Sequence, residues 1–236
     1  MENKRVLTDE AYQKIKELIL DQKLAPGQKL TYGDLSKRLD MSPTPIINAL
    51  YRMEHEGFVA SVPFKGFYVR KMGLQEAWEL FGIREALETY IVEQAILVAE
   101  PRDLERLEER FAEHAAYRPE VYDRKRFMLD SEFHMELARL SKNEALVQQL
   151  LTTFEHFYIR FKFSRMSLDR LESSVDEHRQ LIDRIRRKDI NGSRDAIRNH
   201  IHNARNHIIQ SLSDETSPDL PPFRLGGQRA QAMAKV

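Results

Sequence analysis

The spacing of apolar and polar residues along the first 72 positions predicts three short helices followed by two strands. In the first helix the apolar residues recur every three to four positions, and Thr8 is suited to cap its start. Pro26 and Gly27 end that helix, because proline breaks it and glycine permits a left-handed turn. The predicted elements span 8–21, 31–39, 42–55, 58–62 and 66–70. This order is typical of a winged helix-turn-helix.

Helical spacing continues from 74 to 212, and no stretch there alternates like a strand. Breaks divide this region into about six helices, at 100–101, 118–119, 141–143, 166–167 and 189–192. Pro101 and Pro119 each suit the first position of a helix. The sequence therefore predicts a mainly α protein, with a winged helix-turn-helix over 1–72, an all-α helical bundle over 73–212 and a disordered tail over 213–236.

Composition excludes several classes of protein. The chain of 236 residues has no cysteine, so disulfides and cysteine-ligated zinc are excluded. No apolar run reaches the ~18 residues of a membrane span, and the N-terminus lacks a secretion signal, so we expect a cytoplasmic protein without membrane contact. The formal net charge is zero, but residues 1–72 hold 12 Lys and Arg against 9 Asp and Glu. That excess has the sign expected of a DNA-binding domain.

The predicted third helix has the polar outer face of a recognition helix. Its outward residues are Ser42, Thr44, Asn48 and Arg52. Hydroxyls at a helix start suit phosphates, and the Asn48 amide suits an adenine edge in the major groove. Lys65-Gly66 at the hairpin tip would bring positive charge to the adjacent groove or backbone. The alternative is a winged module that contacts only proteins.

Residues 8–70 resemble the GntR family of bacterial regulators. The matching residues are Leu24-Ala25-Pro26-Gly27-Gln28-Lys29-Leu30, Leu35, Met41-Ser42-Pro43-Thr44-Pro45, Ala49-Leu50 and Glu54-x-x-Gly57-Phe58-Val59. The resemblance implies a homodimer that binds a near-palindromic double-stranded DNA operator. The chain departs from the family at Gly33, Pro43 and Ile47, where arginines are usual, and at Asn48, which replaces a glutamate. The operator sequence therefore cannot be carried over.

Four residues of the helical region form a candidate metal site. Asp130 and His134 are four positions apart, so they project from one helix face. His178 and His200 each lie about eleven residues from a turn near 189–190, which places them level across an antiparallel helix pair. Three imidazoles and a carboxylate suit zinc, our first choice, and also nickel, manganese or iron. Alternatively, each histidine is an ordinary surface or core residue, and Asp130 with His134 is a simple i,i+4 pair.

Residues 74–212 resemble the FCD effector domain of FadR-like GntR regulators. The matching residues are Phe81-x-Ile83-Arg84-x-x-Leu87-Glu88, Asp130-x-x-Phe133-His134, Glu177-His178-x-x-Leu181-Ile182 and Ala196-x-x-x-His200. The resemblance implies that Asp130, His134, His178 and His200 hold a metal and that Arg84 lies near an effector pocket. A guanidinium there can hold a carboxylate in a fork. Alternatively, Arg84 forms a salt bridge with Glu88.

These features together predict a transcription regulator rather than an enzyme. A small organic acid would bind the metal and Arg84, and it would shift a dimer between two arrangements of its DNA-binding domains. Dimerisation would use Trp78, Phe81, Ile91 and Val92, although core packing explains these four equally well. One alternative is a metal-dependent hydrolase, for which no separate general base is evident. Another is a protein whose metal is purely structural.

Overall fold

The computed structural model of the chain describes residues 2–21, 23–163 and 166–213. Its N-terminal elements are α1 (Glu2–Leu20), β1 (Lys29–Leu30), α2 (Tyr32–Leu39), α3 (Pro43–His55), β2 (Val59–Val62) and β3 (Gly66–Val69). The predicted winged helix-turn-helix is confirmed. The predicted start of the first helix at Thr8 is wrong, because α1 already begins at Glu2. Residues 2–7 contain no glycine or proline that would stop a helix from extending through them.

The sheet has three strands rather than the predicted two. Strand β1 pairs antiparallel with β3, in the order β1-β3-β2, and Leu30 lies opposite Phe67. Gly27, at a φ of 82°, donates its backbone N–H to the carbonyl of Val69 at 2.8 Å, which returns the chain to the sheet. A strand of two residues is too short to show period-two alternation, so the sequence pattern did not indicate it.

The C-terminal part is the predicted bundle of helices. Six are described: α4 (Leu74–Val98), α5 (Pro101–Ala116), α6 (Arg124–Leu140), α7 (Glu144–Arg160), α8 (Arg170–Arg186) and α9 (Ile190–Ser213). Pro101 begins α5 as expected, but Pro119 begins no helix. Instead the Asp123 side chain accepts a hydrogen bond from the Arg126 N–H at 2.8 Å and caps α6. The predicted tail, apart from Ser213 at the end of α9, lies outside the described residues.

Helix α4 runs through the core of the bundle and packs against α6, α7 and α9. Phe81, Ile91 and Val92 are buried there, so these three candidates for a dimer interface are core residues of the single chain. Trp78 is 45% exposed, and the Arg205 guanidinium lies 4.1 Å from its ring centroid. Within the described ranges, no helix combines the length and apolarity that crossing a bilayer requires.

Helix α7 belongs to the bundle but also completes the core of the winged part. The Ile159 side chain is fully buried within the apolar cluster of the winged part. Glu155 pairs with Lys16 of α1 at 2.7 Å. Arg160 donates to the carbonyl of Gly57 at 3.3 Å. The two parts are therefore packed together through one face of α7.

Shortening Ile159 is expected to destabilise the protein. Ile159→Ala removes buried methyl groups from the winged core, and such changes cost about 2–5 kcal/mol of unfolding free energy. Urea unfolding followed by circular dichroism measures this cost. The control is Leu151→Ala on the same helix, where the side chain is 38% exposed and the loss should be much smaller. Equal losses for the two variants would contradict the packing role of Ile159.

Candidate metal centre and nucleic-acid interface

The four predicted metal ligands meet in the bundle. One ligand atom from each of Asp130, His134, His178 and His200 lies within 4.8 Å of the others. The His200 Nε2 atom is 3.0 Å from His134 Nε2 and 3.3 Å from His178 Nε2. Asp130 places its Oδ2 atom 3.8 Å from His134 Nε2 and its Oδ1 atom 3.8 Å from His178 Nε2. Helices α6, α8 and α9 thus supply three nitrogens and one carboxylate that face a common point.

Two carboxylates behind the cluster orient the imidazoles. The Nδ1 atom of His134 lies 2.5 Å from Glu88 Oε2, and that of His200 lies 2.8 Å from Glu177 Oε2. An Nδ1–H that faces a carboxylate leaves Nε2 as the atom with a free lone pair. Burial disfavours ionised Glu88, but the charges of Arg84 and His134 outweigh it and lower the pKa of Glu88 to about 2. Both supporting carboxylates belong to motifs noted in the sequence, but their role was not predicted.

The donor set fits a divalent cation. Burial lowers the pKa of His200 to about 4, and burial with the neighbouring imidazoles holds the pKa of His178 well below its usual range. The His178 and His200 rings are therefore neutral near pH 7. The Nε2 atoms of His134 and His200 lie 3.0 Å apart, and the Arg84 Nη2 atom lies 3.3 Å from His134 Nε2. A bound cation would satisfy all three nitrogens and Asp130 together.

A further histidine supports Asp130. His114 on α5 is fully buried, and its Nε2 atom lies 3.4 Å from Asp130 Oδ1. Burial opposes ionisation of Asp130, but the His114 ring beside it and the other nearby imidazoles hold the pKa of this carboxyl well below its usual range. The sequence carried no spacing signal for His114, because it lies on a helix that supplies no other member of the cluster.

A cavity adjoins the histidine cluster. It is partly open to solvent, with about 460 Å³ of space including that opening, and its walls include Arg84, Arg126, Asp130, Arg170 and His200. Arg84 forms the expected salt bridge with Glu88, with Nε 2.7 Å from Oε1, and its Nη2 atom lies 3.3 Å from His134 Nε2. Both interpretations of Arg84 thus have structural support, since it is paired with Glu88 and also lines the cavity.

Most residues of the surface that is expected to bind DNA are exposed to solvent. Ser42, Thr44 and Asn48 are exposed in the first half of α3 or just before it, and Lys65 is exposed at the hairpin tip next to Gly66. Gly66 adopts a φ of 91°, in the left-handed region.

Arg52 does not extend freely toward a ligand. Its guanidinium pairs with Asp9 at 2.9 Å and with Glu56 at 3.0 Å, and it lies 4.2 Å from the Tyr12 ring centroid. Phe64, which was not singled out from the sequence, is fully exposed between Pro63 and Lys65.

Two family models match this chain. The model described as "Bacterial regulatory proteins, gntR family" matches residues 7–69, and the FCD domain matches residues 79–203. The chain belongs to the GntR family and carries an FCD domain. Proteins of this family are DNA-binding transcription regulators, so the expectation of a regulator rather than an enzyme is confirmed. GntR regulators are typically dimeric, and FCD domains can bind metal.

Relatives and solved structures agree with this membership. The Nta operon transcriptional regulator of Aminobacter aminovorans is 31% identical over 140 residues, which cover 59% of this chain and 64% of that protein. The uncharacterized regulator YdhC of Bacillus subtilis is 24% identical over 208 residues, or 86% of this chain and 91% of that protein. The structure of Escherichia coli McbR/YncC has the same fold, with a TM-score of 0.68 at 20% identity over 86% of this chain and 97% of that one.

The metal-free GntR-family protein is expected to lose stability in mild acid. An unfolded histidine takes up a proton near pH 6.5, whereas buried His178 stays neutral, so lowering the pH from 7 to 5 favours the unfolded state. His178→Phe keeps a ring beside Phe133 and should reduce the slope of unfolding free energy against pH by up to about 1.4 kcal/mol per unit.

Urea unfolding with a chelator at pH 7, 6 and 5 measures this slope. The control is His55→Phe, because His55 is exposed. A slope in His178→Phe that equals the wild-type slope would show that His178 titrates in the folded protein as it does in the unfolded chain.

Proposed function

We propose that this protein is a ligand-responsive, sequence-specific transcription regulator whose helical domain binds a divalent metal and a small organic acid. One observation carries the proposal: three histidine Nε2 atoms and Asp130 converge on one point, and two of these residues, Asp130 and His200, also line a cavity that contains three arginines. Asp130, His134, His178 and His200 would hold the metal. Zinc is the first choice for this ligand set, with nickel, manganese and iron as alternatives. When bound, the cation would add positive charge that a carboxylate can approach.

The DNA-binding part of the proposal uses the exposed polar residues of α3. Ser42, Thr44 and Asn48 would enter the major groove, and Lys65 and Gly66 would contact the neighbouring backbone. Arg52 joins this surface only if it leaves its ion pairs with Asp9 and Glu56. We assign DNA binding to residues 1–72 and ligand binding to residues 73–212, in a cytoplasmic protein.

Helix α4 offers a surface for a second copy of the chain. Ile83, Tyr90 and Leu97 are exposed, by 46%, 50% and 62%. Their seven-residue spacing aligns them along one face of the helix. A homodimer that buries this stripe would present two winged parts to the two halves of a near-palindromic operator.

The affinity of the protein for its metal is expected to depend on the carboxylates that contact the Nδ1 atoms of the imidazoles. Glu177→Gln keeps the size of the side chain but removes the charge that faces His200 Nδ1, and such changes typically weaken metal binding about 10–100-fold. Competition with a chromogenic chelator measures the zinc affinity. The control is Glu113→Gln, where the side chain is 50% exposed and pairs only with Arg110 in the described contacts. Unchanged zinc affinity in Glu177→Gln would oppose a metal at this cluster.

DNA binding is tested by selecting genomic fragments with the full-length, metal-loaded protein. We expect an inverted repeat, two chains for each repeat, and an altered apparent affinity when the correct acid is present. Asn48→Ala should lose about 1–3 kcal/mol of discrimination at one base position of each half-site. The control is Gln149→Ala on the exposed face of α7. An absence of enriched fragments would contradict operator binding, and a metal without any acid effect on DNA affinity would favour a purely structural metal.

A further inference from the structure

Arg126 is the largest fully buried side chain among the described residues, with 1% of its surface exposed. It lies on α6, one helical turn before Asp130, and both side chains line the cavity. A guanidinium in such a place normally has a carboxylate partner, because burying an unpaired charge is strongly unfavourable. The partners of Arg126 therefore indicate what the cavity is built to accept.

The partners of Arg126 are all neutral. It donates to the carbonyl of His114, to Ser174 Oγ at 3.0 Å and, weakly, to the carbonyl of Tyr117 at 3.5 Å. Within the described ranges, no carboxylate oxygen lies within 4.0 Å of its guanidinium nitrogens. Burial lowers the pKa of Arg126, but a guanidinium keeps its proton near neutral pH.

The two other arginines of the cavity differ in this respect. Arg84 is paired with Glu88 at 2.7 Å. Arg170 reaches both oxygens of Glu177, at 2.9 and 2.5 Å. A carboxylate of the protein already balances the charge of each of these two arginines, so an anionic ligand would stabilise them less than it would stabilise Arg126. Arg126 is thus the arginine of this cavity that forms no close ion pair with a carboxylate among the described residues, and the Asp130 carboxylate one turn away acts on its charge only at longer range.

The charge balance of the cavity indicates two anionic groups. Asp130 contributes one negative charge, Arg126 one positive charge and a bound divalent cation two positive charges, while an imidazole that ligates a cation is neutral. The positive excess of two matches a dianion. Side chains four positions apart on a helix begin about 6 Å from each other, a distance that the two ends of a three- or four-carbon diacid can cover.

We propose that Arg126 anchors the effector and that the effector is a short dicarboxylic acid. One carboxylate accepts a forked pair of hydrogen bonds from the Arg126 guanidinium, and the other faces the wall formed by Asp130 and His200. The proposal rests on the function proposed above, and it assigns the anchoring role to Arg126 instead of Arg84.

Calorimetric titration of the full-length, metal-loaded protein tests this assignment. The probes are malonate and succinate, compared with acetate and propionate. We expect at least one diacid to bind roughly tenfold or more tightly than either monoacid, and Arg126→Met to weaken that diacid at least about tenfold. The control is Arg179→Met, which changes an exposed arginine on α8 and should leave the affinity unchanged.

Stability distinguishes an anchor from a structural residue. Without acid, Arg126→Met should melt at the wild-type temperature or above it, because an unpaired buried charge has been removed. A lower melting temperature with unchanged diacid affinity would overturn the proposal and assign Arg126 a structural role. Should Arg126→Met fail to fold, Arg126→Lys keeps the charge without the fork. Wild-type affinity in Arg126→Lys would overturn the proposal.

Metal content and fragment selection separate this proposal from the function on which it rests. A wild-type protein that holds its metal and binds DNA, but does not prefer diacids, would overturn the ligand class alone. A wild-type protein that binds neither metal nor DNA would contradict the proposed function itself.

Discussion

The contact between Glu88 and His134 is the constraint on which the ligand-binding half of the molecule depends. Glu88 lies on α4 and is fully buried, where an ionised carboxylate is tolerated only with close partners. Arg84, one turn earlier, supplies one partner, and the Nδ1 atom of His134 on α6 supplies the other. This pairing fixes the relative position of α4 and α6. It also turns Nε2 of His134 toward His200. The contact that stabilises the buried Glu88 carboxylate therefore also orients a candidate metal ligand.

Helix α7 links this buried chemistry to the winged part. Phe154 packs against the Arg84 guanidinium, 4.5 Å from its ring centroid, and against the His134 ring at 5.7 Å. On the other side of the helix, His156 packs against Phe58, and Ile159 lies in the winged core. A ligand changes the arrangement of two parts only if it has different affinity for their alternative arrangements. We infer that α7 is where such a difference would act, since it contacts both the cavity wall and the DNA-binding part.

Much of this arrangement is predictable from the sequence, because it follows from helical periodicity. The six helices and the level placement of His178 and His200 depend only on spacing and on the position of one turn. What escaped prediction depends on tertiary neighbours. His114 shares no helix with the other cluster members, and helical spacing does not reveal that Arg84 both pairs with Glu88 and lines the cavity. The first helix and β1 were misjudged because a helix without breakers and a strand of two residues carry no boundary signal.

The chain has zero net charge, and ion pairs within the winged part reduce the positive charge that this part can direct at DNA. Several cations of the winged part are already paired with carboxylates: Lys14, Lys16, Lys23, Arg52 and Arg70. Counterion release scales with the number of phosphates that cations neutralise, so these five cations contribute less of that driving force than unpaired ones would. The exposed start of α3 instead offers hydroxyls and the Asn48 amide, which bond to base edges and phosphates without a charge. Gly33, Pro43 and Ile47 stand where arginines are usual, so the neutral hydroxyls and amide would contribute most of the base recognition at α3.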